Sequence, residues 1–259
     1  MRILVVGMGL IGGSICKSIK AATSHAVYGC DVQQAVLDDA IADGAIDGTG
    51  NMTDGTYDMI ILCLHQRIAI QMVQEALPKI PAGTILVDTC GLKGRMVRDL
   101  TYRCRKADVR YVGTHPMAGR EKSGYYASIP NLFQNANLIV TPVDGTDEAA
   151  LDTVKELADQ MGFGKIVTAT PMWHDNMIAY TSQLAHVVSS SYVKDFCMDD
   201  ALSFSGGSFQ DMTRVATMDE SMWAALFLDN RDNLLYHLDL LIENLTDYRD
   251  ALKQRDEER

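Results

Sequence analysis

Basic residues are in short supply. The 259-residue chain carries 23 Lys and Arg against 34 Asp and Glu, a formal net charge of −11. Such a surplus repels nucleic acid and anionic membranes unless a local basic patch reverses it. The one basic cluster, Arg95, Arg98, Arg103, Arg105 and Lys106, is interrupted by Asp99 and Asp108 and reads as a solvated helix face. Neither nucleic acid nor a membrane is expected as a partner. Long apolar runs are missing too. The apolar start MRILVVGMGLIGGS is short, rich in glycine and without a cleavage site, so it neither spans a bilayer nor reads as an export signal. The cysteines are few and scattered, at 16, 30, 63, 90, 104 and 197. No CxxC or close Cys/His pair suggests a metal site, and no dense framework suggests disulfides. Cys16, Cys30 and Cys63 lie in apolar segments and are expected to be reduced, buried thiols. A cytoplasmic protein is the expectation.

The length suits one large domain or two modest ones, with ample core. Over the first two-thirds, apolar strand candidates (Ile3–Val6, Ala26–Cys30, Met59–Leu64, Thr84–Asp88, Val109–Thr114, Leu138–Thr141, Lys165–Thr168) alternate with helical stretches (Ser14–Ala22, Gln34–Asp43, Ile68–Leu77, Arg95–Lys106, Glu148–Met161). Most of these strands are continuous apolar runs, as expected of parallel strands buried on both faces. The alternation predicts a doubly wound, Rossmann-like α/β domain over residues 1–169. Near residue 170 the pattern changes. Thr170-Pro171 suits a helix start, and no convincing strand follows. Residues 170–259 are therefore expected to form an all-α domain, ending in one or two long helices from Asp219 onward. Leu234, Leu238, Leu241, Leu245, Tyr248 and Leu252 repeat at spacings of four and three, an a/d seam. The seam faces either this chain's own helices or a subunit interface, and the interface is favoured because few residues remain to cover so long a helix.

Gly7-Met8-Gly9-Leu10-Ile11-Gly12 follows the first strand and opens a helix, and the second strand ends at Asp31. A GxGxxG alone is a weak signal, but this context is the one a dinucleotide site requires. Gly7 permits the tight turn, Gly9 lets the backbone approach a pyrophosphate, and Gly12 lets helix pack on strand. The amides that open the helix at Leu10 and Ile11 favour phosphate charge. Asp31 is placed to accept from the adenine ribose hydroxyls, and its charge disfavours a 2′-phosphate, so NAD is expected over NADP. Substrate and nicotinamide belong beyond the carboxyl ends of the strands. Leu64, the turn Asp88-Thr89-Cys90-Gly91-Leu92-Lys93, and Gly113-Thr114-His115-Pro116 all fall there. Pro116 holds the residue before it extended, which fixes the direction of the His115 imidazole at the mouth of the cofactor crevice.

GMGLIGGS, the Asp88–Lys93 turn, HPMAGREKSG, HDNMIAYTSQLAH and SGGSFQDMTRVATMDESMW together resemble the prephenate dehydrogenase family, which includes arogenate dehydrogenase. The HPMAG and FxDMTR blocks are far more specific than the glycine fingerprint, and the resemblance runs over nearly the whole chain. It implies a nucleotide domain followed by a helical dimerisation domain, hence a homodimer, in a minimal form without a fused mutase or regulatory domain. It also implies NAD⁺-dependent oxidative decarboxylation of prephenate. In that reaction hydride leaves C4, the C4 hydroxyl loses its proton and CO₂ departs as the ring becomes aromatic. A proton acceptor is needed, and a neutral imidazole, with an ordinary pKa of about 6.5, suits the task near neutral pH.

By the same resemblance, His115 is the proton acceptor and Arg214 binds substrate, a guanidinium being able to grip a carboxylate with two parallel bonds. Ser182 and His186, four apart on one helix face, and His174 match positions near the substrate's side chain. Glu121 matches an acidic residue near the pocket mouth, and Trp223 a tryptophan near the subunit contact. Lys93 either supplies positive charge near the crevice or caps a helix, and no mechanism requires it. There are departures. Gly91 stands where the family often has a serine able to bond the reacting hydroxyl. His65-Gln66 replaces a small residue and proline, and Gln183 stands where a histidine is common. Arogenate in place of prephenate, a β-hydroxyacid dehydrogenase or imine reductase, and a non-catalytic NAD-binding sensor are the rival readings. The HPMAG histidine speaks against the second, and the His115–Arg214 pair against the third.

Overall fold

The computed structural model describes residues 1–120 and 122–257, which form two compact units, Met1–Met172 and Trp173–Arg259. The first contains β1 (Arg2–Val6), α1 (Leu10–Ala22), β2 (Ala26–Cys30), α2 (Gln34–Ala42), β3 (Gly48–Thr49), β4 (Met59–Leu62), α3 (Gln66–Ala76), β5 (Ile85–Asp88), α4 (Gly94–Lys106), β6 (Arg110–Pro116), β7 (Asn137–Val140), α5 (Glu148–Gln160) and β8 (Lys165–Thr168). The strands build one eight-stranded sheet in the order β3-β2-β1-β4-β5-β6-β7-β8. Pairing is parallel throughout except between β6 and β7. The doubly wound expectation therefore holds, with two differences. The two-residue edge strand β3 is too short to leave a pattern in the sequence. The run Leu138–Thr141 becomes a reversed strand, since an apolar run carries no information on direction.

Side chains of a strand alternate between faces, and the core divides accordingly. Ile3, Val5, Ile61 and Val87 pack with Ile15 and Ile19 of α1, Val36 and Leu37 of α2, and Val154 and Leu157 of α5. Leu4, Val6, Ile60, Leu62 and Leu86 point the other way, onto Ala69, Ile70 and Val73 of α3 and Met96, Val97 and Leu100 of α4. Both faces being covered explains why the strands read as unbroken apolar runs. The α4 arginines lie on its solvent side. Of the cysteines expected to be buried, Cys16 is, whereas Cys30 and Cys63 are half-buried, each lying at or just past the carboxyl end of its strand. Burial still pushes the Cys63 thiol up to about 12.

The second unit is helical: α6 (Pro171–Ile178, whose first two residues belong to the first unit), a π turn (Ala179–Gln183), α7 (Leu184–Tyr192), α8 (Met198–Ala201), α9 (Gly207–Thr213), α10 (Glu220–Asp229) and α11 (Arg231–Gln254). Asp219 caps α10, accepting from the Met222 amide at 2.8 Å. The core of this unit is thin: Ala179, Leu184 and Leu234 are buried, and Val187, Val188, Phe227, Leu238 and Leu241 pack around them. The a/d seam of α11 thus divides. Leu234, Leu238 and Leu241 face the unit's own helices, contrary to a seam given wholly to a subunit interface. Leu245, Tyr248 and Leu252 are 57%, 71% and 79% exposed, although Ala251 among them is buried. Among the described residues no helix is long and apolar enough to cross a membrane, and no His/Cys/Asp/Glu cluster could hold a metal ion.

Candidate active site

The strand order reverses between β1 and β4, so the crevice at their carboxyl ends is the place where a doubly wound sheet takes a ligand. Gly7 closes β1 at φ +93, and a Cβ there would lie 2.4 Å from the Cys63 carbonyl oxygen. A Cβ on Gly12 would meet the Gly7 carbonyl oxygen at 1.9 Å, so α1 can rest on the turn only as glycine. Gly9 differs: a Cβ there would meet nothing within 4 Å. That open space lies over the N-terminus of α1, where Gly9 provides no side-chain cap for the first amides. The turn therefore fits a pyrophosphate, held by backbone N–H groups beginning at Leu10 and Ile11. Asp31 follows β2 and is already fixed. Its Oδ2 accepts from the Met8 amide at 2.8 Å and its Oδ1 from the Gln33 amide at 2.9 Å. Each oxygen keeps a second lone pair for a ribose hydroxyl.

Leu64 and Cys90 meet beside the glycine turn. The Leu64 side chain lies against Gly7, and the Cys90 thiol donates to the Leu64 carbonyl at 3.4 Å. Burial, then the Asp88 charge, push that thiol well up, so it serves as packing rather than as a nucleophile. Gln66 Nε2 bonds the Leu92 carbonyl at 3.3 Å, so the departure at His65-Gln66 supplies a link between the β4 and β5 loops. His115 is half-buried at the next-to-last residue of β6. Its Nε2 is 3.9 Å from where a Cβ on Gly91 would stand. The residue that replaces the family's serine is thus the neighbour of the imidazole nitrogen.

Beneath these two residues lies a polar cluster that sequence reasoning missed. Lys93 and Asp88 are both fully buried and form an ion pair. Asp88 also accepts from the Cys90 amide at 2.9 Å and the Tyr111 hydroxyl at 2.6 Å. The sequence places Lys93 near the crevice as a positive charge or a helix cap, but carries no signal that it is buried.

In the helical unit, His186 stacks on Trp223, centroids 3.7 Å apart. Its Nδ1–H donates to the Ser182 carbonyl at 2.9 Å, which leaves Nε2 as an acceptor in the neutral ring. Ser182 lies within the π turn and is half-buried. Insertions of this kind are frequent at functional sites. The turn of Arg214 packs against α7, and Ser189 Oγ donates to the Met212 carbonyl at 2.6 Å. These contacts place Arg214, exposed, beside the helix that carries His186. His174 is buried, its Nδ1–H donating to Asp175 at 2.7 Å. Gln183, the other departure, is buried and bonds the Leu226 carbonyl and the Asn230 amide, at 2.9 and 2.8 Å. It therefore joins the π turn to the α10–α11 corner. Glu121 lies outside the described residues.

Residues 15–168 match the family described as "Prephenate dehydrogenase, nucleotide-binding domain", and residues 170–259 match "Prephenate dehydrogenase, dimerization domain". The chain is 29% identical to prephenate dehydrogenase of Bacillus subtilis over 99% of its own length and 71% of that protein's. It is 30% identical to cyclohexadienyl dehydrogenase of Zymomonas mobilis, covering 98% of this chain and 89% of the relative. Among solved structures, prephenate dehydrogenase from A. aeolicus in complex with hydroxyphenyl propionate and NAD⁺ superimposes with a TM-score of 0.87 at 29% identity, covering 100% of this chain and 93% of that one. The chain belongs to the prephenate dehydrogenase family.

Proposed function

We propose that this protein catalyses the NAD⁺-dependent oxidative decarboxylation of prephenate to 4-hydroxyphenylpyruvate, releasing CO₂ and NADH. The observation that carries the proposal is the position of His115, at the carboxyl end of β6 beside Gly91, on a sheet whose glycine turn and Asp31 fit a dinucleotide. His115 accepts the C4 hydroxyl proton as the C4–H bond gives up its hydride. The electrons of the breaking bond to the ring carboxylate complete the aromatic ring, and the C4 oxygen takes its proton back from His115 as the phenol of the product. NAD⁺ supplies the hydride acceptor. Arg214 binds a substrate carboxylate, while His186, held by Ser182 and Trp223, addresses the substrate's side chain; the resemblance and the local geometry of α7 support both roles. His174, Ser182 and Glu121 remain assigned to the substrate's surroundings on the resemblance.

The chain is further proposed to act as a homodimer. The exposed half of the α11 seam supports this, as does the dimerisation domain that residues 170–259 match. Prephenate and arogenate share the cyclohexadienyl ring that names the Zymomonas relative, so arogenate is the second reading. The test is NADH formation by purified protein with each acid and with NAD⁺ or NADP⁺, with CO₂ measured alongside. Turnover of prephenate with NAD⁺, one CO₂ per NADH, is the expected result. Turnover of arogenate alone moves the substrate, and turnover with NADP⁺ alone removes the role given to Asp31.

A further inference from the structure

The geometry points to Lys93 as a positioning residue for His115, acting through a buried clamp rather than by touching substrate; this rests on the reading of His115 as the base. Lys93 stands at the N-cap of α4, yet its side chain turns inward and is fully buried. Its ammonium donates to Asp88 at the end of β5 and to the main-chain carbonyl of Thr114 on β6. Thr114 Oγ1 in turn donates to the Asp88 carbonyl at 2.6 Å. The two strand ends are thus tied twice, by one side chain from each direction. Thr89, directly after β5, bonds the Leu62 carbonyl through its hydroxyl at 3.1 Å and extends the tie to β4.

The Thr114 carbonyl belongs to the same planar peptide group as the His115 N–H. Gripping that oxygen fixes the plane from which the His115 Cα–Cβ bond departs. Asp88 meanwhile holds the Cys90 amide, and so fixes the turn that brings Gly91 to His115 Nε2. Glycine at 91 brings no side chain of its own against the imidazole, and the clamp acts on the main chain that carries it. A buried ion pair contributes little net stability beside a well-packed apolar substitute, so both charges can be removed together without unfolding the protein.

The test is the double variant Asp88→Asn/Lys93→Met, which removes both buried charges together, compared with His115→Ala in the full-length enzyme with NAD⁺ and prephenate. Loss of the clamp should lower kcat about 10²-fold, with KM and NAD⁺ affinity within about threefold and Tm close to wild type, because misplacing a reacting group by an ångström costs that much in the transition state alone. A double variant with wild-type kcat beside an inactive His115→Ala overturns the clamp and leaves the base assignment standing. An active His115→Ala overturns the base assignment and the clamp with it. Should the double variant not fold, Lys93→Arg keeps the charge but displaces the donor, and an unchanged kcat in that protein overturns the proposal equally.

Discussion

The two units of the chain are built on opposite principles. The first closes on itself: its sheet is covered on both faces, and even its buried charges, Asp88 and Lys93, satisfy each other. The second buries few side chains and leaves a large apolar surface, including Phe196, Phe204, Leu245, Tyr248 and Leu252. A self-sufficient unit can hold a cofactor and a base in fixed geometry. Covering the exposed apolar side chains of the second unit would gain about 1.5–3 kcal/mol for each large one, which supports the proposed dimer. The division of labour between chemistry and assembly is thus legible in how each unit treats its apolar and charged residues.

The largest effect should come from breaking the self-sufficient unit at its tightest point. Gly12→Val places carbon inside the Gly7 carbonyl, so NAD⁺ binding should be lost in calorimetry together with a large fall in Tm. A protein that folds and binds normally would show that the glycine turn is looser than described. Arg214→Ala addresses the other unit's part in recognition. Losing a charge-assisted hydrogen bond of about 1.5–3 kcal/mol should raise KM for prephenate roughly 10- to 100-fold with NAD⁺ affinity unchanged. An unaltered KM would make the arginine structural. The assembly claim is sharpened by Leu245→Glu/Tyr248→Glu. Light scattering should report a monomer, with a lower Tm and with NAD⁺ still bound, whereas an intact dimer would place the interface elsewhere.

A smaller effect separates geometry from chemistry. Gly91→Ser sets a Cβ at 3.9 Å from His115 Nε2, an ordinary van der Waals distance, at a backbone conformation open to any residue. The variant should fold normally and change kcat by no more than about tenfold, the worth of one net hydrogen bond. Complete inactivation would mean that the pocket cannot admit any side chain there. Least of all should alkylating agents disturb the fold. Cys197 is exposed, while Cys16, Cys90 and Cys104 are buried, with burial pushing their thiols up, Cys104 to about 12. Mass spectrometry should find Cys197 labelled well ahead of those three.

Much of this was readable in advance, for physical reasons that also mark the limits. The β1 turn is legible because strand, glycines and acidic residue must stand at fixed separations to hold a dinucleotide. The sheet is legible because strands covered on both faces leave unbroken apolar runs. Lys93 was not, since nothing local distinguishes a lysine that turns inward to meet Asp88 from one that reaches solvent. The π turn at Ala179–Gln183 escaped because a single inserted residue barely alters a helical repeat. The split of the α11 seam escaped because an a/d pattern states that a face is covered, not by what.

The most direct test of the central claim is single-turnover NADH formation by wild type and His115→Ala, each saturated with NAD⁺ and prephenate. If His115 accepts the hydroxyl proton, the rate should fall about 10²- to 10⁴-fold while cofactor affinity holds. A variant that turns over at the wild-type rate would contradict the assignment of His115 as the base.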